Sequence, residues 1–301
     1  MTSGRTQPLG GGRRPAWVSD ELFPYPSRFL DLDGCRIHYV DEGTGPVILM
    51  LHGNPTWSFL YRHLIARLHE RFRCLALDYP GFGLSTAAPA YRFLPAEHAR
   101  LVEAFVEALD LRGITLFVQD WGGPIGLAAA ARHPDRYRAL IIANTWAWPV
   151  TGIAHFEWFS QLMGGSIGSF LIRRFNLVVN LFIPAGHRRV RVSKQVMTHY
   201  RRPFPTPASR APTHIFPRQL TESATFLAKV EAGLDRLAHL PALIAWGDRD
   251  IAFRRRERER FESIFPEHTT HVLRGAGHFV QDDAADEAAD AIEDWWGARL
   301  G

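Results

Sequence analysis

The chain has 301 residues, of which 46% are apolar and 22% are charged. This length and composition exclude a disordered, collagen-like or coiled-coil protein and allow one large α/β domain or two medium ones. The formal charge of +4, from 35 basic and 31 acidic residues, is too small to predict the basic stripe of a nucleic-acid-binding protein. The only two cysteines, Cys35 and Cys74, are too few for a disulfide framework.

We expect no targeting signal in the amino-terminal region. Residues 1–17 are rich in Gly and Arg and lack the apolar stretch of a signal peptide. No window of the chain approaches eighteen uninterrupted apolar residues, so we expect no membrane-spanning segment. Together these features predict a soluble cytoplasmic protein.

Short apolar runs typical of strands recur along the chain. They cover residues 36–40, 46–51, 74–77, 114–118, 140–143 and 242–246. Helical patterns separate most of them, as between Glu97 and Leu109, where apolar residues recur every three or four positions. This alternation predicts an α/β fold with a mostly parallel sheet flanked by helices on both faces.

The alternation stops between about Trp148 and Thr213. This stretch begins helical and aromatic, then becomes basic, and ends rich in proline. Two interpretations are open: a solvated helix pair followed by a linker, or a helical cap inserted over the end of the sheet, with aromatic residues lining a pocket. The return of the sheet pattern favours the cap. The predicted domains are therefore a main domain of residues 1–147 and 214–301 and a cap of residues 148–213.

The segment LFVQDWGGP at 116–124 places Asp120 at the end of a buried strand, directly before two glycines and an Ala-rich helix. A tight turn between a strand and a helix is typical of a nucleophile elbow, here with aspartate in place of the usual serine. The glycines would allow the helix and the strand to approach closely. Aspartate is also a common N-cap residue, so Asp120 alone does not decide between a catalytic and a structural role.

Three further segments carry polar residues near strand ends. The HGNP loop at 52–55 follows a buried strand and can supply a backbone N–H to an oxyanion hole. Asp248 and Asp250 follow a later strand, and His278 lies on a loop between glycine and phenylalanine. The elbow, the acid and the histidine occur in the chain order nucleophile, acid, histidine, which makes the set far more specific than any one segment. No ligand-spaced cluster of His and Cys occurs, so no metal or cofactor is expected.

The motifs HGNPTW, DYPGFGLS, QDWGG, GDRD and GAGHF together resemble the haloalkane dehalogenase family of the α/β-hydrolase fold, from about Phe23 onward. The resemblance implies that Asp120 displaces halide from carbon and becomes an alkyl ester. It implies that His278 activates the water that hydrolyses this ester. Asn54 and Trp121 would hold the departing halide through their side chains, and their backbone N–H groups would form the oxyanion hole.

The motifs also differ between subfamilies of this family. One subfamily carries Glu at the position of Asn54, and another takes its acid from the end of the sixth strand, which here reads ANTW at 143–146. The resemblance therefore implies that Asp250 is the acid and that Asp248 forms a turn. The combination is similar to the third subfamily, whose members tend to self-associate. The implied partners are a small halogenated alkane and its halide product.

Epoxide hydrolase is the alternative function, since it shares the aspartate, the HGxP loop and the histidine. Epoxide opening usually relies on two cap tyrosines, whereas residues 148–213 contain only Tyr200. A fluoroacetate dehalogenase would need arginines beside Asp120, and a serine esterase would need serine there. A non-catalytic binding protein of this fold would have no use for the complete set of residues. The sequence thus predicts hydrolysis of haloalkanes to primary alcohol, halide and proton.

Overall fold

Eight strands form a single sheet in the computed structural model, which describes residues 14–301. The prediction for residues 1–13, that they hold no signal peptide, lies outside the described residues. In spatial order the strands are β1-β2-β4-β3-β5-β6-β7-β8. Their bounds are β1 Arg28–Leu32, β2 Cys35–Glu42, β3 Val47–Leu51, β4 Arg73–Leu77, β5 Ile114–Asp120, β6 Tyr137–Thr145, β7 Ala242–Gly247 and β8 His268–Leu273.

The sheet is mostly parallel, as the alternation of strands and helices predicts. Strand β2 pairs antiparallel with both β1 and β4, and every other pairing is parallel. The six apolar runs of the sequence are confirmed as β2 to β7. The edge strands β1 and β8 were not predicted, because half of their residues or more are polar or only half-buried.

In residues 14–301, twelve α-helices surround or cover the sheet. They are α1 Arg62–Leu68, α2 Pro95–Ala108, α3 Gly122–Arg132, α4 Ala154–Gly164, α5 Ser166–Phe175, α6 Ile183–Gly186, α7 Lys194–Arg201, α8 Ala211–Glu222, α9 Ala224–Gly233, α10 Arg255–Ile264, α11 Val280–Asp283 and α12 Ala285–Arg299. A π-helical segment, Val178–Phe182, joins α5 to α6. Helix α8 runs across residue 213 and packs against α4 and α5.

The parallel strands bring four loops to one edge of the sheet. Strands β3, β5, β6 and β7 are neighbours or next neighbours, and they end at Leu51, Asp120, Thr145 and Gly247. The HGNP, DWGG and GDRD motifs follow three of these strand ends. In open α/β sheets, ligands bind in the crevice beyond the carboxyl ends of the strands. The fold therefore collects the polar motifs at this edge of the sheet. The chain leaves the same edge at the end of β6 and forms the helices α4 to α9 before it returns as β7.

Among residues 14–301, no single helix is long and apolar enough to cross a membrane. One pair, Ser166–Phe175 with Val178–Gly186, meets the criteria of length and composition together, and its two parts are bent by 80°.

Candidate active site

Asp120 lies on a strained turn between β5 and α3. Its φ is +50°, in the left-handed region that side chains other than glycine rarely adopt. Helix α3 begins at Gly122, where a Cβ would collide with the carbonyl oxygen of Leu51. The close packing of α3 on the end of β3 thus requires glycine at this position. The result is an elbow that presents the Asp120 carboxylate at the edge of the sheet.

The two oxygens of Asp120 have different partners. The backbone N–H of Asn54 donates to Oδ1 at 2.7 Å, and the backbone N–H of Trp121 also donates to this carboxylate. Oδ2 lies 3.6 Å from Nε2 of His278. Burial raises the pKa of Asp120, although His278 and the two backbone N–H groups act in the opposite direction. Oδ1 is thus held by a neutral donor, the N–H of Asn54, while Oδ2 faces the histidine.

His278 is oriented by one of the two candidate carboxylates. Its Nδ1 donates to Oδ2 of Asp250 at 2.8 Å, and the N–H of Ala252 donates to Oδ1. Asp248 instead accepts the backbone N–H of Gly275 and does not contact His278. Burial on its own would lower the pKa of His278, but attraction to Asp250, with a smaller contribution from Asp120, raises it above its usual value.

Asn144 is a contact of this acid that the sequence reasoning missed. Its Nδ2 donates to Oδ2 of Asp250 at 3.0 Å and to the carbonyl of Gly247 at 3.1 Å, while its Oδ1 accepts the N–H of Gly247. Asn144 lies near the end of β6, where the sequence analysis looked only for a carboxylate. A buried amide beside a strand end was the signal available there, because such a group needs partners on the neighbouring strand.

Gln119 is the second missed residue. Its Nε2 lies 2.8 Å from Nε2 of His278 and 3.2 Å from the His278 carbonyl oxygen. A carbonyl can only accept, so the amide nitrogen is the group that faces it, and His278 Nε2 then accepts from the same nitrogen. The Oε1 atom of Gln119 is buried and has no partner in the described part of the chain. Its position directly before Asp120 in the QDWGG motif was the available signal.

Asn54 and Trp121 lie on the same cavity as Asp120. Nδ2 of Asn54 makes one long contact, 3.4 Å to the carbonyl of Thr213, which leaves its second amide hydrogen without an acceptor in residues 14–301. The Trp121 ring packs edge-on against Trp146, 4.7 Å between centroids, and tilted against Phe216. The indole N–H of Trp121 makes no hydrogen bond in the described chain, and it can only donate.

An apolar cavity of about 430 Å³ opens above Asp120 and His278. Eight Trp and Phe rings line it: Trp121, Trp146, Phe156, Trp158, Phe159, Phe182, Phe253 and Phe279. Trp148, at the start of the predicted cap, does not line the cavity and packs against Phe261. No tyrosine of the described residues lines the cavity. Tyr200 is buried elsewhere, with its hydroxyl donating to Asp282 at 3.1 Å.

Comparison with known proteins bears on the fold and the family. A model of the alpha/beta hydrolase fold matches residues 46–285. Haloalkane dehalogenase 2 of Mycobacterium tuberculosis is 43% identical over 279 residues, 92% of this chain and 97% of that protein. The cis-3-alkyl-4-alkyloxetan-2-one decarboxylase of Shewanella oneidensis is 31% identical over 283 residues, 91% of this chain and 89% of that protein.

Solved structures show the same fold. The crystal structure of the haloalkane dehalogenase DatA from Agrobacterium tumefaciens superposes with a TM-score of 0.83, at 28% identity, over 91% of this chain and 96% of that one. The sheet order, the elbow and the matched model define an α/β-hydrolase fold, with Asp120 on the turn between β5 and α3. At 43% identity over most of its length, the chain belongs to the haloalkane dehalogenase family.

Proposed function

We propose that this protein hydrolyses haloalkanes to a primary alcohol, halide and a proton through an alkyl ester on Asp120. One observation carries the proposal: the carboxylate of Asp120, with Oδ1 held by the backbone N–H of Asn54 and Oδ2 3.6 Å from Nε2 of His278, lies in an apolar cavity. An apolar wall suits a haloalkane, and a carboxylate is a competent nucleophile toward its carbon.

In the first step, Oδ2 of Asp120 attacks the carbon that bears the halogen. The new C–O bond forms as the C–X bond breaks, and the halide departs with the bonding electrons. The amide of Asn54 and the indole of Trp121 donate hydrogen bonds to the developing negative charge. Neutral donors suit this task, because a cation there would pair with Asp120 and retain the product halide.

In the second step, Nε2 of His278 takes a proton from water, and the water oxygen attacks Cγ of the Asp120 ester. The backbone N–H groups of Asn54 and Trp121 stabilise the negative oxygen of the tetrahedral intermediate. Collapse releases the alcohol, which receives a proton from His278, and the remaining proton leaves Asp120 for solvent. Asp250 accepts from Nδ1 throughout and stabilises the imidazolium.

Gln119 positions His278 between these steps. By donating to Nε2, its amide favours the neutral tautomer with hydrogen on Nδ1, which is the form that can act as a base. The attacking water takes the place of this amide when it approaches Nε2. Gln119 touches the base and not the substrate, so it acts as a positioning residue.

We also propose membership of the third subfamily. The contact between Asp250 and His278, the lack of a carboxylate at 143–146 and the Asn54–Trp121 pair support this assignment. For the domains, the sequence predicts a cap of 148–213. We propose that the cap continues through helix α8 to Glu222, because α8 packs on α4, and that the main domain consists of 1–147 and 223–301. Cys35 and Cys74 are buried free thiols, which supports a reducing compartment such as the cytoplasm.

Replacement of His278 by Phe tests the covalent route. The variant retains Asp120 but lacks the base, which typically contributes about 10²–10⁴-fold. Incubation with 1-bromohexane should release one equivalent of bromide and leave a hexyl group on the protein. Intact mass spectrometry measures this adduct, and peptide mapping should locate it on Asp120.

Asp120→Asn is the matched control, since it keeps the shape of the side chain but removes the nucleophile. It should carry no adduct. A bare His278→Phe protein, found while the wild type releases bromide, would contradict the ester intermediate. An adduct on any other residue would contradict the role of Asp120.

Lactone decarboxylation is a second candidate, favoured by the 31% identity to the Shewanella oneidensis oxetan-2-one decarboxylase over 91% of this chain. A cis-dialkyl oxetan-2-one would lose CO₂ and leave an alkene. Head-to-head measurement of halide from 1-bromohexane and of CO₂ from such a lactone distinguishes the two functions. A much faster turnover of the lactone would show that decarboxylation, and not dehalogenation, is the main activity.

Epoxides are the third class of substrate to test. We expect little turnover of them, because no tyrosine of the described residues lines the cavity.

A further inference from the structure

The cap carries most of the exposed apolar surface of the molecule. Of the eight large apolar side chains that are exposed in the described residues, seven lie between 148 and 213. They are Trp158, Leu162, Ile167, Phe170, Phe175, Leu181 and Val190. The first six lie on the outer sides of α4, of α5 and its carboxyl end, and of the π-helical segment. These three elements share a small buried cluster of Met163, Ile172 and Val178. We call the outer side of these three elements the cap face.

The cap is also strongly basic. Residues 148–213 contain nine Lys and Arg and one acidic residue, a net charge of +8, so the remainder of the +4 chain carries −4. The basic residues adjoin the apolar ones: the guanidinium of Arg174 lies 5.1 Å from the centroid of the Phe175 ring. Arg173, Arg174, Arg201 and Arg202 are exposed and make no ion pair with any carboxylate in residues 14–301.

A groove beside the cap face gathers these charges. Its volume is about 350 Å³, and its walls include Arg174, Arg201, Arg202 and Arg210 together with Phe175, without any Asp or Glu. Guanidinium groups bind phosphate oxygens readily. A surface that combines exposed aromatic and aliphatic side chains with unpaired arginines is typical of proteins that bind at a membrane interface.

We propose that the cap face docks on the surface of a bilayer that contains anionic phospholipid. The apolar side chains enter the boundary of headgroups and acyl chains, and the arginine groove receives phosphate. A second copy of the chain fits this face less well, because a two-fold interface would oppose two caps of charge +8.

Docking would place the mouth of the active-site cavity at the lipid surface. Trp158 belongs both to the cap face, where 66% of it is exposed, and to the cavity wall. Ile251, the eighth exposed apolar side chain, lines the same cavity. Haloalkanes partition from water into lipid. If the proposed function holds, this geometry lets the enzyme take its substrate from the membrane. The docking itself does not depend on the reaction.

Flotation of the full-length protein with vesicles tests docking without any measure of activity. We expect binding to vesicles of phosphatidylglycerol and phosphatidylcholine in equal parts, little binding to phosphatidylcholine alone, and release at high salt. Ile167→Ser with Phe170→Ser should reduce binding at least tenfold. Arg201→Gln with Arg202→Gln should reduce it by roughly fivefold for each arginine. Circular dichroism checks the fold of every variant.

Arg112→Gln with Arg299→Gln is the matched control, since it removes two exposed charges from the main domain. Arg112 precedes the amino end of β5, at the opposite edge of the sheet from the cavity. This control should bind as the wild type does. Equal binding to both kinds of vesicle, equal losses in the control, or no binding at all would overturn the proposal. So would dimerisation in sedimentation velocity that disappears in Ile167→Ser with Phe170→Ser, because a second copy would then cover the face.

Discussion

At the scale of single residues, the contact between Gln119 and His278 makes a prediction about pH. The amide donates to the lone pair of Nε2 and so stabilises the neutral imidazole. Replacement by Leu removes this donor, so the pKa of His278 should rise. Hydrolysis of the ester needs the neutral form, and the acidic limb of the kcat profile should therefore move to higher pH in Gln119→Leu.

Gln119→Glu provides a graded comparison. A carboxylate at this position would pair with the imidazolium, so the limb should move further than in Gln119→Leu. Release of the first equivalent of halide, measured in a rapid-quench burst, should change much less, because that step depends on Asp120. Profiles that coincide for all three proteins would show that Gln119 has only a structural role.

At the scale of elements, the acid of the site lies between two strand ends. Asp250 follows β7, and Asn144 near the end of β6 donates to the same oxygen that accepts from His278. Asn144 and His278 thus contact the same oxygen of Asp250, so a carboxylate at position 144 would lie close to Nδ1 of His278. We expect Asp250→Asn to lower kcat by about 10⁴-fold, as when a triad acid is lost. The double variant Asn144→Asp with Asp250→Asn should recover at least a factor of ten.

Asp248→Asn controls for the loss of a carboxylate in the same loop. Asp248 accepts only the N–H of Gly275 in the described structure, and its replacement should leave kcat near the wild-type value. Steady-state kinetics gives kcat for the two single variants and the double variant, and circular dichroism checks that each one is folded. A double variant no faster than Asp250→Asn would show that the acid can act only from the β7 loop.

The predicted strands and helices agree with the structure where burial determines the sequence pattern. Strands β2 to β7 were predictable because burial on both faces demands continuous apolar runs. Strand β8, with sequence HTTHVL, was not, since an edge strand needs little apolar character. The predicted boundary at 213 falls inside α8, because Pro212 lies in the first turn of this helix and does not end a linker. The contacts of Gln119 and Asn144 join distant segments, and spacing along the chain carries no information about them.

At the scale of the whole molecule, two buried histidines link stability to pH. His52 and His98 are fully buried, and burial lowers their pKa values to about 4 and about 3. In the unfolded chain both would titrate near the ordinary value of about 6.5. As the pH falls below this value, the unfolded state binds protons that the folded state does not. The free energy of unfolding must therefore decrease between about pH 6.5 and the folded pKa values.

Between pH 7 and pH 5 the expected loss is about 2 kcal/mol for each of these histidines. His278, whose folded pKa is raised, acts in the opposite direction and offsets part of it. His98→Phe keeps an aromatic ring stacked on Phe216 and removes one titrating group. Urea unfolding at pH 7 and at pH 5 measures how much free energy of unfolding each protein loses. This loss should be smaller by about 2 kcal/mol in His98→Phe than in the wild type. Because the two pH values are compared within one protein, any change in overall stability caused by the substitution does not enter the comparison. Exposed His239→Gln should match the wild type, and an unchanged pH dependence in His98→Phe would remove His98 from this linkage.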